Sequence, residues 1–316
     1  MENKKINYKK RLRPIVSVVV TCYNYGHFLA ACLNSVLSQT FKEIEVIVVD
    51  DGSTDDSEQV AIPFLKDERV RYIKQKNGGQ ANAKNRGIRE AKGEFIAFLD
   101  ADDQWDKCKI EKQLPLFEDT SVGVVYSIHR FVDEAGQPVM RQKRRRTMKP
   151  RKGKVTQYLF IDNFIPFSST VVRSDCFNRL GVFDESLAMG IDWDLWLRFS
   201  TRYLFDYVDE PLLIYRIGHS GQMSKNVLKR QSCSDRIMDK FRRAYPKEVN
   251  ASTDRKAMAF TYCNRGEYFR HESLILSTSY YIKSLNIHPL WIPAYKGILK
   301  NSMALVIPAM KGRTKD

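Results

Sequence analysis

Along the first part of the chain, short runs of β-branched residues alternate with segments in which apolar residues recur at helical spacing. The runs predict strands over residues 15–21, 43–49, 70–73 and 95–99. Helical spacing over 28–37 and 81–91 predicts helices, and Ser53 or Thr54 is suited to cap another helix that runs towards Phe64. Such alternation is typical of an α/β fold in which helices cover both faces of a mainly parallel sheet.

From about residue 225 the strand signals disappear. Amphipathic helical stretches follow over 228–245 and 255–285, so we predict a helical C-terminal region over 225–316. Its last apolar segment, 291–306, is interpreted either as a helix docked on a core, which we favour, or as a helix lying in a membrane interface. Pro293 and Pro308 limit the length of either helix.

Three polar clusters each follow a predicted strand, at residues 21–24, 50–53 and 100–103. Ligands of an open parallel sheet bind beyond the carboxyl ends of its strands. Asp100 and Asp102 point the same way if the strand continues past Leu99, and carboxylates suit Mg²⁺ or Mn²⁺ bound to phosphate. The alternative is a solvated turn that caps a helix beginning near Trp105. Convergence of three clusters favours the metal site.

The net charge of +15 is concentrated in two tracts. Residues 1–13 hold six basic side chains and one acid, and residues 141–154 hold nine basic side chains and no acid, so the two tracts carry +5 and +9. Three interpretations of the second tract stay open: a solvated loop, contact with an anionic membrane surface, or contact with an anionic substrate or nucleic acid. The tract lacks aromatic residues and is linear, which makes nucleic acid an unlikely partner.

Several classes of protein are disfavoured by the sequence. No apolar stretch is long enough for a spanning helix, and no signal-peptide pattern follows the basic start, so we expect a cytoplasmic protein. The six cysteines form no Cys-x-x-Cys pair, which argues against a zinc cluster or a disulfide scaffold. No Gly-x-Gly-x-x-Gly pattern indicates a dinucleotide site.

Taken together, four ordered motifs resemble those of the family 2 inverting glycosyltransferases. The motifs are VVVTCYN at 18–24, VVDDGSTD at 48–55, NGGQANAKNRG at 77–87 and AFLDADD at 97–103, and the resemblance continues through GVFDE at 181–185 and DWDLWLR at 192–198. The resemblance implies the GT-A fold of nucleotide-sugar transferases. The resemblance covers roughly residues 14–224, which we predict to be the catalytic domain, and the charge count marks residues 1–13 as a basic leader. Within that domain, the nucleotide-binding half is about 14–103 and the acceptor half about 104–224.

The family pattern also assigns roles to individual residues. It places Thr21, Tyr23 and Asp51 around the nucleoside base of the donor. It also places Asn85 and Arg86 on a segment that faces the nucleotide, and Asp100 at the ribose and diphosphate. Asp102 is the metal candidate, and His219 occupies a position from which many members reach the metal or the diphosphate.

Inverting transfer needs a base that removes the proton of the acceptor hydroxyl. Asp192 occupies the place of the family's catalytic carboxylate, although Ile191 stands where many members have Glu. Asp194 is the competing candidate, but two residues along a helix turn it roughly 200° away.

The resemblance therefore predicts a divalent-cation-dependent enzyme that moves a sugar from a nucleotide-diphospho-sugar to a glycan or lipid-linked acceptor. It further implies a role in the biosynthesis of surface polysaccharide or lipopolysaccharide, with peripheral contact at the cytoplasmic face of an anionic membrane. A sugar-phosphate nucleotidyltransferase and a non-catalytic nucleotide-sugar-binding regulatory or assembly subunit are the alternatives. The absence of a Gly-rich, basic phosphate loop near the start disfavours the nucleotidyltransferase, and turnover discriminates the regulatory subunit from the enzyme.

Overall fold

A computed structural model describes residues 14–139, 149–222 and 226–312, with side chains up to residue 305. The predicted basic leader and residues 141–148 of the basic tract lie outside the described residues. The chain divides into two compact units, one of Met1–Val155 and Phe164–Cys233, the other of Thr156–Asn163 and Ser234–Asp316.

The first unit contains all eight strands found among the described residues. They are β1 (Val16–Cys22), β2 (Ile44–Asp50), β3 (Val70–Lys74), β4 (Phe95–Asp100), β5 (Gln104–Trp105), β6 (Val122–Val132), β7 (Val171–Arg173) and β8 (Leu204–Arg216). They form one sheet in the order β3-β2-β1-β4-β7-β6-β8-β5. Four of the seven neighbouring pairs are parallel and three are antiparallel. The predicted mainly parallel α/β architecture is confirmed.

The helices of the described chain are α1 (Gly26–Leu37), α2 (Ser57–Ala61), α3 (Gln80–Glu90), α4 (Lys109–Gln113), α5 (Thr156–Ile161), α6 (Asp175–Leu180), α7 (Ile191–Ser200), α8 (Val227–Ala244), α9 (Ala251–Phe269), α10 (Leu274–Ile287) and α11 (Ile292–Gly312). Three 3₁₀ turns lie at Ile62–Lys66, Leu114–Glu118 and Phe167–Ser169. None of the helices in the described ranges combines the length and the apolar character needed to cross a bilayer.

Helices cover both faces of the parallel part of the sheet. One face of β1, including Val18 and Val20, packs with Leu29 and Leu33 of α1 in the main core. On the other face α3 packs against β1 and β2. A Cβ added at Gly87 of α3 would lie 2.2 Å from Val19 Cγ1, so only glycine permits this close approach of α3 to β1.

One local prediction was wrong. The helix expected after Ser53 begins at Ser57, whose backbone N–H donates to Asp55 Oδ1, while Ser53 Oγ instead accepts from the backbone of Asn24. The amphipathic stretch predicted over 255–285 comprises two helices: α9 ends at Phe269, and Ser273 caps α10 by accepting from Leu276 N–H.

The second unit consists of α5, the later part of α8, and α9 to α11. Its packing centres on Tyr281 of α10, whose ring lies between Gly266 of α9 and Gly297 of α11. A Cβ at Gly297 would stand 2.2 Å from Tyr281 Cζ. The phenol donates to Glu267 Oε2 at 3.0 Å, and the guanidinium of Arg270 donates to the phenol at 2.5 Å. Small residues at these contacts allow the three helices to approach closely.

Candidate active site

Parallel pairing brings the three polar clusters to one edge of the sheet. Thr21 of β1 pairs in register with Asp100 of β4, and Cys22 pairs with Asp50 of β2. The carboxyl ends of the three strands therefore lie side by side, as the strand pattern predicts.

Lys84 of α3 joins the ends of β1 and β4. Its ammonium donates to Asp100 Oδ1 at 2.7 Å and to Thr21 Oγ1 at 3.0 Å, and Thr21 Oγ1 donates to Asp100 Oδ1 at 3.0 Å. Lys84 is 3% exposed. Buried lysines are rare unless they are paired, so this one holds a fixed positive charge beside the Asp100 carboxylate.

Sequence reasoning missed Lys84, although a signal for it exists. A lysine three residues after Ala81 and four before Ile88 lies on the buried stripe of the predicted helix, where an unpaired charge is too costly to occur.

The two residues that follow Lys84 make different contacts. Arg86, turned roughly 200° from Lys84 on the helix, forms an ion pair with Glu90 at 2.9 Å. Asn85 is buried; its Nδ2 donates to Phe183 O at 2.9 Å and to Glu185 Oε1 at 2.8 Å, and its Oδ1 accepts from Phe183 N–H. Asn85 thus ties α3 to the segment that leads to α7.

Asp51, just beyond β2, holds the loop that precedes α3. Its Oδ1 accepts from Gly78 N–H at 2.9 Å and from Gln75 Nε2 at 2.7 Å, and its Oδ2 accepts from Gly79 N–H at 2.8 Å. Gly79 has a φ of +86°, which favours glycine at this turn. One acceptor position remains on Oδ2 by this count, which fits the predicted hydrogen bond to a base N–H.

The neighbours of Asp51 complete this edge of the sheet. Asp50 accepts from Ser53 N–H at 2.7 Å and from the phenol of Tyr72, so it shapes the turn after β2. Tyr23 follows the end of β1 with 48% of its surface exposed, which leaves its ring available for stacking.

Asp102 and Asp100 do not share partners, because β4 ends at Asp100 and a turn follows. Asp102 Oδ2 lies 3.1 Å from His219 Nε2. The imidazole is buried and packs edge-on against Tyr25 and Phe28, each with ring centroids 5.4 Å from it. The structure thus brings together the two residues that the sequence proposes as metal ligands, from positions 117 residues apart.

Tyr25 also fixes the segment that carries His219. Its hydroxyl donates to Gly221 O at 2.9 Å. Burial, and the carboxylates of Asp102 and Asp100, raise the pKa of Tyr25, so the phenol stays a donor at neutral pH. Gly218 has a φ of +96°, so the chain turns there. This turn places His219, three residues after Arg216, on Asp102.

Among the described residues, no three His, Cys, Asp or Glu side chains converge as metal ligands. The pair of Asp102 and His219 fits a cation that takes its other ligands from elsewhere. Mg²⁺ in nucleotide sites is commonly held by one or two carboxylates and completes its coordination with phosphate oxygens and water. The donor set therefore suits a divalent cation bound together with a diphosphate.

Asp103 has a structural role. It is buried and accepts from Arg216 N–H at 3.0 Å, and burial together with the neighbouring Asp102 raises its pKa well above the usual range. The guanidinium of Arg216 donates to Asp102 O at 3.0 Å and to the carbonyls of Asp133 and Glu134. Arg216 thus anchors the turn that carries Asp102, a role that sequence reasoning did not assign to it.

The segment 165–169 supports Asp100. Ser168 Oγ accepts from Asp100 N–H at 3.2 Å, and Ser168 O accepts from Trp105 Nε1 at 2.6 Å. Trp105 lies in the short strand β5, and α4 begins only at Lys109, so no helix begins near Trp105.

The two candidate bases on α7 differ in their surroundings. Asp194 is buried and accepts from both Nε and Nη2 of Arg198, at 3.0 and 2.9 Å. Asp192, in the first turn of α7, is partly exposed. Gly190 precedes the helix with a φ of +71° and allows the chain to turn there. Asp194 is therefore committed to an internal ion pair.

The chain resembles known proteins over most of its length. The sequence model described as Glycosyl transferase family 2 matches residues 17–181. A protein named as an uncharacterized glycosyltransferase of Rickettsia typhi is 31% identical over 217 residues, which are 68% of this chain and 67% of that protein.

Solved structures share the fold at low identity. S. aureus TarS 1-349 in complex with UDP-GlcNAc has a TM-score of 0.64 and 18% identity, covering 94% of this chain and 92% of that chain. The mannosyltransferase PcManGT from Pyrobaculum calidifontis, in complex with GDP-Man and Mn²⁺, has a TM-score of 0.56 and 14% identity, covering 96% and 88%. The fold is that of the GT-A glycosyltransferases. With a family match across more than half of the chain, we conclude that this protein belongs to glycosyl transferase family 2.

Proposed function

We propose that the protein is a divalent-cation-dependent, inverting glycosyltransferase that uses a nucleotide-diphospho-sugar donor. The observation that carries this proposal is the contact between Asp102 and His219, which would supply two ligands to a cation next to Asp100 at the carboxyl edge of the sheet. The crystallised neighbours were bound to UDP-GlcNAc or to GDP-Man with Mn²⁺, which supports a donor of this chemical class.

In the proposed site, Asp51 and Tyr23 bind the nucleoside, and Thr21 and Asp100 line the path to the diphosphate. Asn85 and Arg86 belong to the nucleotide-facing segment, where Asn85 acts by positioning. Lys84 maintains the geometry of Thr21 and Asp100. Asp102 and His219 would hold the cation, which would supply positive charge to the leaving diphosphate.

Asp192 is the proposed base. Its carboxylate accepts the proton of the acceptor hydroxyl while that oxygen forms a bond to the anomeric carbon, and the bond from that carbon to the diphosphate oxygen breaks on the opposite face. Asp194 is unsuited to this task because Arg198 occupies its carboxylate. Attack opposite the leaving group gives inversion.

The proposed acceptor is a glycan or a lipid-linked sugar, as in the assembly of surface polysaccharide or lipopolysaccharide. The basic tracts at 1–13 and 141–154 support this assignment, since an enzyme that modifies a lipid-linked acceptor meets an anionic bilayer.

A thermal-shift screen with UDP, GDP and their sugars, with and without Mn²⁺, tests the donor site, because a ligand bound only by the folded state raises its stability. We expect a Mn²⁺-dependent shift with one nucleotide that Asp102→Asn abolishes. Release of nucleoside diphosphate and the anomeric configuration of the product, read by NMR, then test turnover and inversion. Binding without turnover would favour the non-catalytic subunit, and no shift with any nucleotide would contradict the donor site.

A further inference from the structure

Helix α11 exposes four large apolar residues. Ile292, Tyr295, Leu299 and Met303 are 53–63% exposed. In contrast, the residues that α11 buries over its described side chains, 292–305, are Ala294, Gly297 and Asn301. Asn301 Nδ2 donates to Ser277 and Thr278 of α10 at 2.9 Å, which confirms that this polar and small face is the docked one.

The four exposed apolar residues form one continuous stripe. At about 100° per residue they fall within roughly 80° of one another, on the side of the helix opposite the buried face, and they extend about 17 Å along its axis. We call these four residues the α11 stripe. On α10, Ile275 and Ile282 are likewise exposed and lie roughly 100° to 120° around the helix from the buried Tyr281. Exposed apolar surface of this extent marks a surface that is covered by something else.

The charge around the α11 stripe has one sign. From Ser273 to Lys315 the sequence contains six Lys or Arg and no Asp or Glu. Lys296 and Lys300 are exposed and flank the stripe on one side, roughly 200° and 240° around the helix from Ala294. An apolar stripe beside a row of lysines is the pattern of a helix that lies in the headgroup region of a membrane.

We propose that the α11 stripe, with Lys296 and Lys300, docks on an anionic lipid bilayer. The apolar side chains enter the headgroup boundary while the ammonium groups contact lipid phosphates. A second copy of this chain is a poorer occupant, because pairing two stripes would bring lysines together in a segment that has no acid to neutralise them. The surface is distinct from the basic tracts, and its binding does not depend on nucleotide or on turnover.

Flotation of the full chain with vesicles, in the absence of nucleotide, tests the proposal. We expect the protein to float with vesicles of phosphatidylcholine and phosphatidylglycerol in equal parts and to stay behind with phosphatidylcholine alone. The double variant Leu299→Ser and Met303→Ser, and separately Lys296→Gln with Lys300→Gln, should each weaken partition by about tenfold or more.

Matched control variants remove exposed apolar or charged side chains from the first unit instead of from α11. Ile62→Ser with Leu65→Ser deletes exposed apolar surface in the first unit, and Lys66→Gln removes an exposed charge there. These variants should float like the unchanged protein, and melting curves should show that every variant folds.

Three results would overturn the proposal. The protein could fail to float with the mixed vesicles, or the stripe variants could float as well as the controls. In a third case, a variant of the basic tract, Arg144→Gln with Arg145→Gln, could lose all binding while the stripe variants keep it. Sedimentation without vesicles adds a further check, because a dimer that the stripe variants dissociate would assign the surface to a second copy.

Discussion

Single side chains at the candidate site differ in how deeply they are buried. Asp194, Asp103 and Lys84 are buried and bonded internally, whereas Asp192 and Tyr23 retain exposed surface. Burial therefore separates the framework of the site from its proposed chemistry, even between residues that are neighbours in sequence.

The two carboxylates of α7 should respond differently to substitution. Asp192→Asn removes the proposed base, so we expect kcat to fall by about 10² to 10⁴-fold with little change in melting temperature. Asp194→Asn leaves the partly buried Arg198 without its charge partner and should lower the free energy of unfolding by about 3 kcal/mol. Initial rates and urea unfolding of both variants check this, and the reverse pattern would assign the base to Asp194.

Lys84 is expected to control donor binding. Lys84→Met removes the cation that fixes Asp100 and Thr21, so the nucleotide should bind about tenfold more weakly and the nucleotide-dependent rise in melting temperature should shrink. Arg89→Met, at an exposed position of the same helix, is the control and should leave that rise unchanged. Equal nucleotide-dependent rises in melting temperature for both variants would contradict a role of Lys84 in donor binding.

Secondary-structure elements are held together at a few close contacts. Asn85 of α3 donates hydrogen bonds to residues 183 and 185, and we call this contact the clasp. The clasp joins α3 to the segment before α7. Hydrogen bonds from Asn82 and Asn85 also hold the pKa of Glu185 below its usual value. The stabilisation that the Glu185 carboxylate contributes to the clasp is therefore complete above the normal pKa of a glutamate and is lost as pH falls through the lowered value.

At the contact between α10 and α11, we predict that a glycine-to-alanine substitution changes the free energy of unfolding in the direction opposite to the usual one. Glycine to alanine within a helix usually stabilises by about 1 kcal/mol. At Gly297 the new Cβ would collide with the Tyr281 ring, so Gly297→Ala should instead lower the free energy of unfolding by about 1–3 kcal/mol. Ser302→Ala, exposed on the same helix, is the control and should change stability little. Denaturant unfolding measures both, and a stabilised Gly297→Ala would contradict the packing of Tyr281.

Across the whole molecule, the thiols should fall into two classes of reactivity. Burial raises the pKa of Cys22 to about 11 and of Cys176 to about 12, and that of Cys32 is raised well above its usual value. Cys108 and Cys233 are partly exposed. Because the thiolate is the reactive form, iodoacetamide at pH 8 should label Cys108 and Cys233 long before the three buried thiols.

Timed labelling followed by mass spectrometry measures this order, and unfolded protein is the control in which all six cysteines react. Labelling of Cys32 as fast as that of Cys108 in the folded protein would contradict the packing of α1 against the sheet.

Much of the fold was predictable because its signals are local. The periodicity of apolar residues predicted the four strands β1 to β4 to within about one residue, since strands buried on both faces are mainly apolar along their length. The polar clusters were predictable for the same reason, because parallel strands end at a common edge. Helix α2 was mispredicted because Asp55 supplied a contact that Ser53 was expected to supply.

The order of motifs along the chain thus establishes the fold class, the family and the residue types that meet at the sheet edge. Three-dimensional packing alone establishes which distant residues are in contact. His219 contacts Asp102 from 117 residues away, Lys84 donates to Asp100, and Arg198 pairs with Asp194. Packing likewise turns the apolar side of α11 outward, which the amphipathic pattern could not specify. The physical reason is that periodicity encodes which face of an element is apolar, whereas contacts between distant segments depend on how elements pack.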